Sequence, residues 1–348
     1  MIQFSPQAKK RWNKFKALRR GYYSFIAIIV LIALSLFAEL IASNRPLIIQ
    51  YNDNIYFPSY GDIIPGTTFG FDYRWETDYR QLKIHFEQNE LDGWLLMPVI
   101  TFNPLESHFI EGEYPPYSPS IDSGHYLGTD MAGRDILSRI IYGFRIAILF
   151  SLFLLVVTYI IGVFLGALMG YMGGKFDMVF QRLIEVLSNI PILYVIMIVA
   201  SIVTPDFWTL VLLLAAFSWM GLTWYMRTET YRENNREYVM AARAIGASHL
   251  RIMFKHILPN SVSILVTFFP FSVVSGITAL TSLDYLGFGL PAPTPSWGEL
   301  LQQGTDNLEY QWIAISAVAA LSVVLTLVTF IGEAIREAFD PKKYSYYE

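Results

Sequence analysis

Six apolar runs dominate this chain, each close to the roughly 20 residues a helix needs to cross hydrocarbon. They extend from about Tyr22 to Ala42, Ile146 to Leu168, Val186 to Val203, Phe207 to Met226, Ser261 to Leu283 and Trp312 to Ile331. Lipid offers no water to backbone N–H and C=O groups, so runs of this kind must be helices. Of 348 residues, 54% are hydrophobic and only 16% charged. A soluble chain of this size buries a core without repeated spans. The expected fold class is therefore an all-α membrane protein with six transmembrane helices. A net charge of −4 gives no reason to expect nucleic acid as a partner. The absence of cysteine excludes disulfides and thiolate metal sites.

Charge sets the expected topology. Lys9, Lys10, Arg11, Lys14, Lys16, Arg19 and Arg20 precede the first run and place the N-terminus inside. That run is too long for a signal-peptide core, so it is expected to remain as an uncleaved first span. Lys175 and Arg182, then Arg227, Arg232, Arg236, Arg243, Arg251 and Lys255, then Arg336, Lys342 and Lys343 mark further inner segments. Both termini are then cytoplasmic. Glu39, near the outer end of the first span, is placed to reach the interface.

Residues 44–139 are too long for a plain connection and too aromatic for disorder. Tyr51, Tyr56, Tyr60, Tyr73, Trp75, Tyr79 and Trp94 are expected to build a small external subdomain, with some Trp and Tyr at the membrane interface. Gln81 to Glu87 alternates like a strand through Leu82, Ile84 and Phe86. The acids Asp62, Asp72, Glu76 and Asp78 and the histidines His85 and His108 lie here, with no spacing that sets any of them apart for metal binding or acid–base work. The expected divisions are 1–43 (basic N-terminus and first span), 44–139 (external segment), 140–340 (core of five spans) and 341–348 (tail).

The second run ends with Gly162, Gly166 and Gly170, a small-residue stripe that lets helices approach closely in lipid. Asn189 and Pro191 interrupt the third, where the proline either kinks the helix or frees carbonyls toward a pathway. Ser272, Ser275 and Thr278 recur every third residue of the fifth. Such a face either lines a hydrated route or bonds a neighbouring helix, and packing is the commoner use. The spans carry few acids away from their ends, unlike an ion-coupled carrier.

Between the fourth and fifth runs lies Tyr238-Val239-Met240-Ala241-Ala242-Arg243-Ala244-Ile245-Gly246, followed by a basic stretch to Leu258-Pro259-Asn260. Asn234 or Asn235 can cap a short helix, Gly246 can end it in left-handed geometry, and Ser248 can cap a second helix running to Pro259. Ala241, Ala242 and Ala244 give the first helix a low-relief face suited to docking. A membrane-surface hairpin is the plainer alternative.

This segment resembles the EAA loop of ABC-transporter permeases: Glu-Ala-Ala, three residues, Gly, nine residues, Ile-x-Leu-Pro. Met240 stands where the family has Glu, and His256 where it has Ile. His125 to Arg139 is similar to the "H-x-L-G-T-D-x-x-G-R-D-x-L-S-R" signature of the peptide/nickel permeases, dipeptide and oligopeptide C type. Thr129 or Asp130 would cap the helix that follows. Leu286 to Pro291 and Pro295 to Leu300 look like that family's "L-G-x-G-x-x-P…P-S-W-G" external loop, and Gly332 to Pro341 its closing motif. The long segment after the first span fits the Yej-type branch, which imports oligopeptides and microcin C.

The resemblance implies a MetI-like importer permease fold with an enlarged periplasmic segment, in the bacterial inner membrane. It implies a second homologous permease, a cytoplasmic ABC ATPase holding the ATP and Mg, a periplasmic peptide-binding protein and a peptide substrate. No cofactor is expected on this chain. Tyr238, Met240, Ala241, Ala242, Arg243, Gly246, Leu258 and Pro259 become the expected ATPase-coupling residues, and Asn189, Pro191, Ser272, Ser275 and Thr278 the candidate pathway residues. Import of nickel or another small solute, and a membrane-bound enzyme with its site in the external segment, are the alternatives.

Overall fold

The computed structural model describes residues 6–88, 92–110 and 112–339. Asp340, Pro341 and the expected tail 341–348 lie outside them. The helices are α1 (Pro6–Ala17), α2 (Arg19–Leu36), α3 (Ala38–Ile41), α4 (Tyr79–Glu87), α5 (Ile136–Met172), α6 (Gly174–Ser188), α7 (Ile192–Ile202), α8 (Phe207–Asn234), α9 (Glu237–Ala244), α10 (His249–Ile252), α11 (Leu258–Tyr285), α12 (Trp297–Asp306) and α13 (Gln311–Phe339). Among the described residues five helical runs are long and apolar enough to cross a membrane: α2, α5, α8, α13 and the run His249–Tyr285. A sixth follows if α6 and α7 count as one bent span.

The third run, expected from Val186 to Val203 with Pro191 as a candidate kink, is broken at that proline. Pro191 lacks an N–H, and its ring disfavours helical geometry at the residue before it. Helix α6 therefore stops at Ser188, the Asn189 amide turns back onto the Glu185 carbonyl at 2.5 Å, and α7 leaves at 64°.

The chain divides into two compact units. One comprises the residues up to Ile28, 147–291 and those from Ser322 on. Within it the glycine stripe of α5 lies against α8. A Cβ at Gly166 would stand 2.7 Å from the Thr223 carbonyl, one at Gly170 2.4 Å from the Arg227 carbonyl and one at Gly162 3.0 Å from the Trp219 carbonyl. Only a residue without a side chain lets the two backbones meet there. Arg227 then grips Asp177 of α6 with two bonds of 2.5 Å.

The other unit comprises 29–146 and 292–321. It corrects the all-α expectation, because a three-stranded antiparallel sheet, β1 (Ile48–Tyr51), β2 (Asn54–Tyr56) and β3 (Gly93–Leu96), runs in the order β2-β1-β3. Asn52 and Asp53 take φ of 47° and 60°, the left-handed pair of a two-residue hairpin. The alternation read over Gln81–Glu87 misleads: this segment is α4. The Asp78 carboxylate caps its first turn, and Tyr79, Leu82 and Phe86, at helical spacing, join Ile49 and Phe69 in one buried cluster. Of the seven aromatics expected to build the subdomain, Tyr51, Tyr56 and Tyr79 do so, whereas Tyr60, Trp75 and Trp94 are exposed.

The fifteen-residue signature becomes a buried clasp in this unit. Asp135, rather than Thr129 or Asp130, caps α5, accepting from Ser138 N at 2.7 Å. The Thr129 hydroxyl instead receives Tyr117 N, and Asp130 receives Ala132 N, Arg134 N and the Arg134 guanidinium. Arg139 is fully buried, reaching Glu299, Asp130 and the Pro104 carbonyl. The loop expected at Pro295–Leu300 contains the start of helix α12, capped by Ser296. Trp297 is buried and donates to the Ile140 carbonyl at 3.1 Å.

Candidate coupling site

The segment between α8 and α11 folds as helix, turn, helix. Helix α9 ends in a Schellman motif: Gly246 N reaches the Arg243 carbonyl, Ala247 N reaches the Ala242 carbonyl, and Gly246 sits at φ +81°. Ser248 caps α10 by accepting from Arg251 N. Neither asparagine caps α9. Arg236 occupies that position without a side-chain bond, Asn235 closes α8, and Asn234 accepts from the Arg243 guanidinium at 2.8 Å. The second helix does not end at Pro259 either. A wide turn, Met253–Ile257, carries the chain into α11 with Pro259 in its first turn. The wide turn accommodates the N–H that Pro259 lacks.

Val239, Ala242, Ile252 and Ile257 form the buried underside of the hairpin, with Tyr171 from the end of α5 packed on them. The Tyr171 hydroxyl meets His249 Nδ1 at 2.7 Å, and the Arg243 guanidinium lies over the Tyr171 ring. On the other flank the Tyr238 hydroxyl donates to Glu233 of α8 at 2.5 Å and accepts from the Asn260 amide of α11 at 3.0 Å. Burial and the bond to Glu233 hold this phenol above the ordinary tyrosine range. Leu258 packs with Ala167, Met226 and Met253. The hairpin is thus fastened to α5, α8 and α11 together.

The outward face is Met240, Ala241, Ala244, Ile245, Leu250 and Phe254. Met240 is 50% exposed, Ile245 86% and Leu250 67%. Of the expected coupling residues, Ala241, Met240 and Gly246 lie on this face and Arg243 is exposed beside it. Ala242 is turned inward at 6% exposure, which corrects its place on the docking face. Sequence reading missed Tyr171, His249, Glu233 and the apolar trio Ile245, Leu250 and Phe254. The last had a signal: large apolar side chains flanking a short helix with too few positions to bury them.

The candidate pathway residues lie on two elements, the α6–α7 break and α11. Asn189 and Pro191 are exposed at the α6–α7 break. The Ser272 hydroxyl lies 3.3 Å from the Tyr159 hydroxyl of α5, a packing contact, while Ser275 and Thr278 are exposed on α11. Within residues 44–139 Glu76 pairs with Arg45, Asp78 caps α4, His85 stacks edge-on against Phe71, and His108 meets His125 at 3.1 Å. These are structural employments. Among the described residues no three His, Asp or Glu side chains group as a metal site requires.

Residues 162–343 match the family described as "Binding-protein-dependent transport system inner membrane component". Over 98% of its length the chain is 41% identical to the "Peptidoglycan transport system permease protein YejE" of Agrobacterium fabrum, covering 94% of that protein. It is 43% identical to the "Inner membrane ABC transporter permease protein YejE" of Escherichia coli across 99% of both chains. The "Oligopeptide transport system permease protein OppC" of Lactococcus lactis subsp. cremoris is 33% identical over 65% of this chain and 79% of its own.

Proposed function

The chain belongs to the binding-protein-dependent transport system inner membrane component family, and from that premise we propose that α9–α10 is the surface through which a partner ATPase drives it. The protein is a multi-pass inner-membrane permease subunit of an ABC importer for peptides. It is a transport subunit rather than an enzyme. The cargo comprises oligopeptides, with peptide–nucleotide antibiotics such as microcin C and fragments of peptidoglycan among them, the last after the Agrobacterium relative. In this reading α6 and α7 form one bent span, six spans place both termini in the cytoplasm, and residues 44–139 stand in the periplasm. The charge distribution supports it, since the inner segments hold the larger share of the 25 Lys and Arg residues.

The mechanism is alternating access. A periplasmic binding protein delivers peptide, a second permease completes the pathway, and a separate ATPase binding ATP and Mg closes under the pair. The observation that carries this reading is the fastening of the hairpin to α5, α8 and α11 through Tyr171, Tyr238 and Leu258. An apolar outer face on a rigid underside receives a load and passes it on. The test is affinity purification of the tagged chain with its partners from native membranes, wild type against Ala241→Trp. An ATPase and a second permease with the wild type, and a depleted ATPase with the mutant, are expected. A chain that emerges alone overturns the assembly, and an undiminished ATPase overturns the docking face.

A further inference from the structure

The geometry points to a binding site for the phosphate of an anionic phospholipid in a cavity of about 430 Å³ bounded by α1, α8, α11 and α13. The inference rests on the topology above, which brings these helix ends to the inner leaflet. Three guanidinium groups reach this cavity from segments remote in sequence: Arg11, Arg232 and Arg336. Glu229 offsets one of them, accepting from Arg232 at 2.5 Å. Arg11 and Arg336 have no ion-pair partner among the described residues. Arg11 is instead held over the Phe339 ring, 4.5 Å from its centroid, which fixes its guanidinium without neutralising it. Two uncompensated cations at one cavity favour an anion.

The remaining lining says which anion. Guanidinium forks suit an oxyanion with several acceptor oxygens, as phosphate has. Ser263 adds a hydroxyl from the α11 wall. Ile264 and Phe339 supply apolar surface for the glycerol end of a lipid. The cavity is large enough for a headgroup, and the basic segment from Lys9 to Arg20 concentrates anionic lipid beside it. A basic pocket between membrane helices on the cytoplasmic side is a recognised setting for such headgroups.

The test is native mass spectrometry of the full chain, purified with its partners in mild detergent. The probes are phosphatidylglycerol, phosphatidylethanolamine and inorganic phosphate. Wild type is expected to retain phosphatidylglycerol at least about tenfold better than phosphatidylethanolamine. The R11Q/R336Q pair should lose that preference and R11K/R336K should keep most of it. Equal retention of the two lipids by wild type, or undiminished preference in the glutamine pair, overturns the site. Displacement of phosphatidylglycerol by inorganic phosphate at equal concentration overturns the lipid assignment in favour of a free anion. The same spectra report the ATPase subunit. Its presence without lipid selectivity defeats only the lipid site, and selectivity without the ATPase defeats only the transporter assembly.

Discussion

Gly246 turns the hairpin at φ +81° with nothing within 4 Å of where a Cβ would sit. Its requirement is therefore conformational, and a β-branched residue there costs about 1–2 kcal/mol through the backbone alone. Gly246→Val is expected to cut transport severely while membrane abundance stays near wild type. Transport at the wild-type rate in inverted or right-side-out vesicles would show that the turn carries no load. The two neighbouring alanines divide the labour. Ala241 faces out, so Ala241→Trp should block the ATPase and leave the melting temperature of the purified chain unchanged. Ala242 faces the cluster of Val239, Ile252 and Ile257, so Ala242→Leu should destabilise the hairpin by about 1–3 kcal/mol through overpacking. If the two variants behave alike in melting and in ATPase capture, the orientation of α9 described above is wrong.

Elements meet in this protein where side chains are removed or where apolar side chains cluster. The α5–α8 contact is of the first kind. Gly166→Leu has no room against the Thr223 carbonyl and should lower both the melting temperature in detergent and the accumulated protein. A normal melt would show that the helices separate freely. The three-stranded sheet and α4 are of the second kind. The Tyr79 hydroxyl makes no hydrogen bond, and burial, with the nearby Glu76 charge, pushes its phenol up to about 12. The unfolded chain ionises this group near pH 10. The folded subdomain therefore keeps the full contribution of Tyr79 below about pH 10 and loses it as pH climbs toward about 12. Ultraviolet titration of the tyrosinates should show a late-ionising fraction that shrinks by one tyrosine in Tyr79→Phe. A titration in which every tyrosine ionises together near pH 10 would contradict the burial.

At the scale of the whole molecule, topology is the property most open to direct measurement, because the chain contains no cysteine to remove first. Single cysteines at Tyr60, Arg182 and Leu250, all exposed, should divide cleanly in intact cells stripped of their outer membrane. An impermeant maleimide should label position 60 and spare 182 and 250 until the membrane is opened. Labelling of 250 from outside would invert the coupling hairpin and end the docking proposal. Much of this was legible in the chain alone. Spans follow from the sum of apolar residues along a helix, a property that needs no knowledge of neighbours. The glycine stripe and the Gly246 turn are equally local, since each rests on what a missing side chain permits. What the tertiary structure decided is orientation and partnership. Ala241 and Ala242 are identical in sequence terms, and only the cluster beneath α9 determines which of them is covered. Gln81–Glu87 alternates like a strand, yet the cap at Asp78 and the spacing of Tyr79, Leu82 and Phe86 against Ile49 and Phe69 make it a helix. Tyr171 and His249 stand 78 positions apart, and Arg139 and Glu299 are 160 apart. Pairings across such separations depend on where packed helices bring their ends, and no local pattern carries that information.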